Sequence, residues 1–263
     1  MRCIIHAAVI ILTVFLILSC TTIEDIKIVN HLSDDQKNQL FDSFENLDED
    51  LWEPHANASD WMMPDFKLAD ITVEEGKLSI STEKGAYSKA ILTSKFLFSG
   101  DFDFQIDCAT DLNEKVSNMT QNLYVGVVSN PTNGKAVKAG AWIELIRDPD
   151  EAKDKGKLNA GVYNVINSKQ KTNIRYGPFF DIFEGSVRLI RRGQMVSFFY
   201  QEKDSNAWRH LSTKPYNDLD QVIHIAFANY FMKRRDIDAP RRLTANFDNF
   251  KVNAAHTVID SEI

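Results

Sequence analysis

The chain has 263 residues, 44% of them hydrophobic, and a formal net charge of −7 at pH 7. That length suits one large β domain. The acidic balance argues against duplex DNA or an anionic membrane surface as partner, because either demands a basic face.

Residues 1–19 hold one charge, Arg2, ahead of the apolar run Ile4–Leu18, which is short for a membrane span and fits the apolar region of a secretory signal. The run ends Leu16-Ile17-Leu18-Ser19-Cys20, which resembles the bacterial lipobox. That resemblance implies a diacylglycerol thioether on Cys20, cleavage before it, and a lipid-anchored place on the extracytoplasmic side of the cell envelope. An ordinary signal peptide or an N-terminal membrane anchor is the alternative. Cleavage leaves Cys108 as the remaining thiol, in the strand-like Gln105–Ala109, where a small buried apolar role is expected and a nucleophilic one is not. The His residues are scattered, without metal-ligand spacing. Residues 20–40 read as the lipidated Cys and a polar tether, in which Ser33-Asp34-Asp35-Gln36 predicts a capping box opening a short helix.

Strand-like segments follow at nearly regular intervals: Asp42–Phe44, Phe66–Val73, Lys77–Ser81, Ala90–Phe98 and Phe102–Thr110. Leu123–Ser129, Ala141–Arg147, Gly161–Ile166 and Ile174–Tyr176 continue the series. Gly185–Leu211 then reads as three strands joined by two tight turns, with Val187, Leu189 and Arg191 alternating against Arg188, Ile190 and Arg192. Gln221–Phe231 and Leu243–Val252 close the series. Turn signals such as Ser99-Gly100-Asp101 and Tyr176-Gly177-Pro178 separate nearly every pair. Many short strands and no long amphipathic helix predict an all-β, two-sheet antiparallel sandwich.

Phe41-Asp42-Ser43-Phe44, Leu47–Trp52, Val73–Leu78, Val187–Tyr200, Trp208 and Phe247–Val252 occur in an order that resembles the concanavalin A-like lectin/glucanase superfamily. The resemblance covers residues 41–253 and leaves 254–263 as a tail. It implies a jelly roll of one concave and one convex sheet, with the terminal strands side by side. In that pairing both Phe residues of each Phe-Asp-x-Phe segment face the core and the Asp residues point outward. Trp208 takes the place of a buried structural Trp. No cofactor is required, but the resemblance implies a structural calcium, for which Asp42 and Asp248 are the matching ligands. The alternative is that both carboxylates hydrogen-bond loop backbone.

The glucanase branch uses a Glu-x-Asp-x-x-Glu strand, because a retaining mechanism needs two carboxyls about 5 Å apart. That motif is absent; Glu202-Lys203-Asp204 lies at a hairpin tip without a third acid. Hydrolase activity therefore does not carry over. The best constellation is Ala141–Arg147, where alternation places Trp142 and Glu144 on one face with Ile146. An aromatic platform and a planar polar group are what a sugar requires. Tyr163 or Asn164, Arg188, Tyr200 and Asn229 are expected from neighbouring strands. The competing reading makes Trp142 core and pairs Glu144 with Arg188 or Arg147. Arg188, Arg191 and Arg192 with Lys233–Arg242 form a basic cluster, either for an acidic polymer or simply solvated. Three functions stay open: a non-catalytic module binding a polysaccharide or oligosaccharide, a glycoside hydrolase using Glu144 in a non-standard acid pair, or a protein-interaction domain of the envelope.

Overall fold

The computed structural model describes residues 28–55, 66–84, 87–111, 120–129, 139–147, 156–166, 169–216, 220–230 and 242–260. Residues 1–27, with Arg2, the apolar run and Cys20, lie outside them, as do Lys233–Arg241. Among the described residues no helix is long and apolar enough to cross a membrane.

The first element is α1 (Asp34–Gln39), opened by the expected capping box: Ser33 Oγ accepts from Gln36 N–H, and Gln36 Oε1 accepts from Ser33 N–H. Fourteen strands follow: β1 (Trp52–Pro54), β2 (Phe66–Leu68), β3 (Asp70–Glu74), β4 (Lys77–Ser81), β5 (Tyr87–Asp111), β6 (Thr120–Ser129) and β7 (Ala139–Arg147). The rest are β8 (Gly156–Ile166), β9 (Lys169–Phe180), β10 (Ile182–Arg192), β11 (Met195–Glu202), β12 (Arg209–Pro215), β13 (Asp220–Tyr230) and β14 (Thr244–Asp260).

β5 is the spine. Sequence predicts two strands with a turn at Ser99-Gly100-Asp101, but the chain bends there without breaking its ladder. Gly100 takes φ +83°, where a side chain is strained, and the strand changes partners across it. Before the bend β5 pairs β13; after it, β10. One sheet therefore runs β3-β4-β14-β5-β10-β11-β12 and the other β5-β13-β6-β7-β8-β9, the two halves of a jelly roll. Between them lie Phe98, Phe104, Ile106, Leu123, Val125, Ile143, Leu189, Phe198, Ile225 and Phe227, all buried. Cys108 sits among them, and burial pushes its thiol well up, as an inert apolar role requires.

The glycine-proline pair at Gly177-Pro178 also fails to turn the chain, and β9 runs through it as an edge strand, where proline is tolerated. A Cβ on Gly177 would stand 2.4 Å from Leu211 Cδ1, so close approach accounts for the glycine. β14 likewise continues through residue 260, where a tail is expected beyond 253, because three register shifts let it curve along β5.

The terminal segments do meet: Asp42 and Phe250 exchange backbone hydrogen bonds of 3.0 and 2.8 Å. The facing pattern differs from expectation. Phe44, Phe247 and Phe250 are buried, but Phe41 is 45% exposed and Asp42 only 7%. Phe44 has φ 51° and Asn249 φ 48°, so both segments leave the two-residue period. Trp208 is also not core. It is half-buried under the Arg188 guanidinium, 5.7 Å from its ring centroid, and among the described residues the fully buried tryptophan is Trp52. The basic cluster does not assemble among the described residues. Arg191 is buried, Arg188 binds Asp103, and Arg242 pairs with Asp70.

Candidate functional site

The outward face of the β13-β6-β7-β8-β9 sheet gathers the polar and aromatic side chains that core packing does not use. On β7 the alternation holds: Ala141, Ile143 and Leu145 enter the core, and Trp142 and Glu144 take the other face. Cross-strand register then builds rows. Trp142 stands in line with His224, Gly126 and Gly161; Glu144 stands in line with Ala226, Tyr124, Asn159 and Tyr176.

The Trp142 ring lies along its sheet because its neighbours are glycines. A Cβ at Gly161 would fall 2.4 Å from Trp142 Cζ2, and one at Gly126 2.8 Å from Trp142 Cβ. Tyr124 stacks on Trp142 with centroids 6.1 Å apart and planes at 19°, and Tyr163 flanks the other side at 6.0 Å. Gly140, opposite Tyr163, has no room for a side chain beside that ring. The result is a three-ring aromatic cluster, in which Trp142 and Tyr163 are each 9% exposed.

Glu144 is fixed from both sides. Asn122 Nδ2 donates to Oε2 at 3.0 Å and Asn159 Nδ2 to Oε1 at 3.2 Å. Glu144 pairs with these amides, and neither Arg188 nor Arg147 takes the place predicted for it. Trp142 Nε1, Asn122 Oδ1 and Asn159 Oδ1 are buried without a hydrogen-bond partner. Groups of this kind normally find one, so beneath this face one donor and two acceptors stand unpaired. At the sheet edge Tyr176 is 61% exposed in the Glu144 row, with Lys157 Nζ 4.3 Å above its ring.

Of the residues expected here, the structure brings together Trp142, Glu144 and Tyr163. Asn164 has the opposite parity on β8, on the side of Val162. Arg188 lies in the other sheet, on its outer face, holding Asp103 with Nε at 2.7 Å and Nη2 at 2.5 Å. Tyr200 belongs to that sheet too, turned into the core against Phe180. Neither reaches Glu144. Asn229 pairs with Gln121 by backbone register, and its side chain lies outside the described residues. Asn122, Asn159, Tyr124 and Tyr176 are missed by sequence reasoning. Of these, Tyr124 alone had a signal, the glycine at Gly126 inside a strand pattern, whose Cβ would fall 2.9 Å from the Tyr124 hydroxyl.

Asp42 and Asp248 both accept hydrogen bonds from the protein itself. Asp42 Oδ1 accepts the Phe44 N–H at 2.7 Å and Oδ2 the Trp52 Nε1–H at 2.8 Å, so each oxygen already faces a donor. Burial pushes the Asp42 carboxyl up, opposed by those two hydrogen bonds. Asp248 Oδ1 accepts the Asn249 N–H at 2.7 Å. No group of three His, Cys, Asp or Glu able to hold a metal occurs among the described residues.

A depression of about 290 Å³ lies on the opposite sheet between Asp107, Ser186, Lys203 and Asp248. Its polar groups are largely spoken for, Lys203 by Glu184, and Asp107 by Ser186 and Asn249. It is an open mixed-charge surface, and we place the site on the aromatic face.

Residues 69–227 match the family described as the C domain of a protein of unknown function (DUF1583). No curated protein matches the sequence. Solved structures share the fold. A glycoside hydrolase family 16 endo-glucanase from Bacteroides ovatus superposes with TM-score 0.61 at 11% identity, over 81% of this chain and 99% of that one. A laminarinase from Flavobacterium sp. UMI-01 gives 0.60 at 14%, over 81% and 97%. The CBM2 module of the evolved Dit of Lactobacillus casei BL23 phage J-1 gives 0.53 at 7%, over 81% and 93%. At these identities the likeness establishes the jelly roll and nothing finer.

Proposed function

We propose, for a chain that belongs to the family described as the C domain of a protein of unknown function (DUF1583), that the outward face of the β7 sheet binds carbohydrate without cleaving it. The observation that carries this is the Trp142 ring laid flat over Gly161, beside a Glu144 carboxylate clamped by Asn122 and Asn159. A flat aromatic takes the C–H face of a sugar, and planar polar groups fix its hydroxyls. The sugar-acting enzymes and the CBM2 module sharing the fold support a saccharide as the ligand.

The hydrolase reading keeps one point in its favour: Glu144 is a carboxylate at the middle of that face. A glycosidase pairs such a group with a second carboxyl. The neighbours of Glu144 in register are Tyr124 and Asn159, and its hydrogen bonds come from amides, so the described residues give it no acid partner.

Trp142→Ala is expected to weaken binding of the recognised polysaccharide at least ten-fold in titration calorimetry, with the thermal transition of the protein kept cooperative. Undiminished affinity in that variant would place the ligand elsewhere.

The lipobox-like Leu16–Cys20 supports an anchor: Cys20 carries the lipid and holds the domain at the cell envelope. Metabolic labelling with an alkyne fatty acid is expected to mark the wild-type chain and to leave Cys20→Ser unmarked. Equal labelling of both would remove the anchor from the account.

A further inference from the structure

We infer that His31 and His256 together hold a divalent transition-metal ion, of the Cu2+ or Ni2+ type, which staples the segment before α1 to β14. The two imidazoles are far apart in the chain, so no ligand spacing announces them. In the fold their ring centroids stand 4.6 Å apart with planes at 46°, and both residues are exposed to solvent. β14 belongs to the sheet opposite the carbohydrate face, so this site stands independently of that reading.

Backbone contacts bring the rings together. His31 N–H donates to Ala255 O at 3.0 Å, while Asn30 Oδ1 accepts the N–H groups of Ala255 at 3.2 Å and Leu32 at 3.3 Å. Asn30 Nδ2 donates to Leu32 O at 3.1 Å, and Leu32 is buried, so the residues on either side of His31 are tied down. On β14 a register shift between Ala255 and Thr257 takes His256 out of the ladder with β5. Gly100 lies against it. A Cβ there would stand 3.3 Å from His256 Cβ and 3.5 Å from Nδ1, so the glycine leaves the ring its room.

The separation suits a chelate. Two imidazole nitrogens bound about 2.0–2.1 Å from one ion, in adjacent positions at about 90°, place their ring centroids about 4.5 Å apart. A tetrahedral angle spreads the centroids to about 5.2 Å. The observed 4.6 Å therefore matches the tetragonal preference of Cu2+ or Ni2+ better than the tetrahedral one of Zn2+. His256 Nδ1 lies 3.0 Å from Thr257 Oγ1. Donation to that hydroxyl leaves the lone pair on Nε2 and orients the ring, as the outer-shell partners of metal-bound histidines do. Among the described residues no third His, Cys, Asp or Glu completes a ligand group, and Asp101, next to Gly100, accepts the Gly193 N–H at 2.6 Å. Water takes the remaining positions, which the exposure of both histidines allows.

The test adds Ni2+ or Cu2+ to the metal-free full chain, with His31→Gln, His256→Gln and, as a control, His210→Gln. In titration calorimetry Ni2+ affinity is expected to fall at least ten-fold in either variant of the pair and to be unchanged in the control. Cu2+ at half an equivalent is expected to give an electron paramagnetic resonance spectrum split by two imidazole nitrogens, reduced to one by either substitution. Ni2+ at ten times its Kd is expected to raise the wild-type Tm by about 3–5 °C and to leave both variants unmoved. Both positions are exposed, so the variants are expected to keep the wild-type Tm without metal. Absence of Ni2+ binding, or binding and spectra indifferent to both substitutions, overturns the site and leaves a stacked imidazole pair.

Discussion

Lowering the pH from 6.5 toward 3 is expected to cost this protein on the order of 5 kcal/mol at His224 alone, about 1.4 kcal/mol per unit of pKa difference. Burial on the β13 strand, with Lys89 adding repulsion, holds the imidazole at about 3 against an ordinary 6.5. The sign follows from proton binding. Above 6.5 the ring is neutral in both folded and unfolded chains, and its contribution is fully present. Between 6.5 and 3 the unfolded chain takes up a proton that the folded chain refuses, so stability falls as pH falls. Below 3 both forms carry the proton and the slope vanishes. Urea midpoints of the wild type at pH 7 and pH 4.5 are expected to differ by more than those of His224→Gln. Identical pH profiles for the two proteins would show that the ring is hydrated.

Trp52→Ala is expected to destabilise the fold by about 3–5 kcal/mol, the range for truncating a buried aromatic. Trp52 is fully buried and its ring meets Phe44, Phe96 and Phe250 at centroid distances of 6.0, 6.2 and 5.0 Å. Its indole N–H also serves the buried Asp42, which the alanine would leave with an unanswered oxygen. Trp52→Phe separates the two effects. It keeps most of the packing, loses the hydrogen bond, and is expected to cost about 1–3 kcal/mol. Chemical denaturation of the two variants measures both. A phenylalanine variant as stable as the wild type would mean that Asp42 does not depend on the indole.

The β-sandwich was legible because half-buried strands repeat every two residues, and that period put Trp142 and Glu144 on one face before any contact was known. The same period cannot say which sheet a strand joins. Arg188 and Tyr200 were assigned to the Trp142 face, yet β10 and β11 belong to the other sheet, through pairings between residues far apart in the chain. Gly100 and Gly177 read as turns because glycine marks both a turn and a close approach. At Gly100 a positive φ bends β5, and at Gly177 the neighbour is Leu211. Asp42 was expected to point outward because nothing in its sequence announces the positive φ of Phe44. Asn122 and Asn159, which hold Glu144, are neutral amides within strands and carry no spacing signal.

The most direct test reads binding and reducing-end release from the same samples, with the purified full chain and a panel of acidic and neutral polysaccharides. Binding without release is predicted, lost in Trp142→Ala and weakened in Glu144→Gln. Release of reducing ends by the wild type, abolished in Glu144→Gln, would contradict this account and make the protein a glycoside hydrolase.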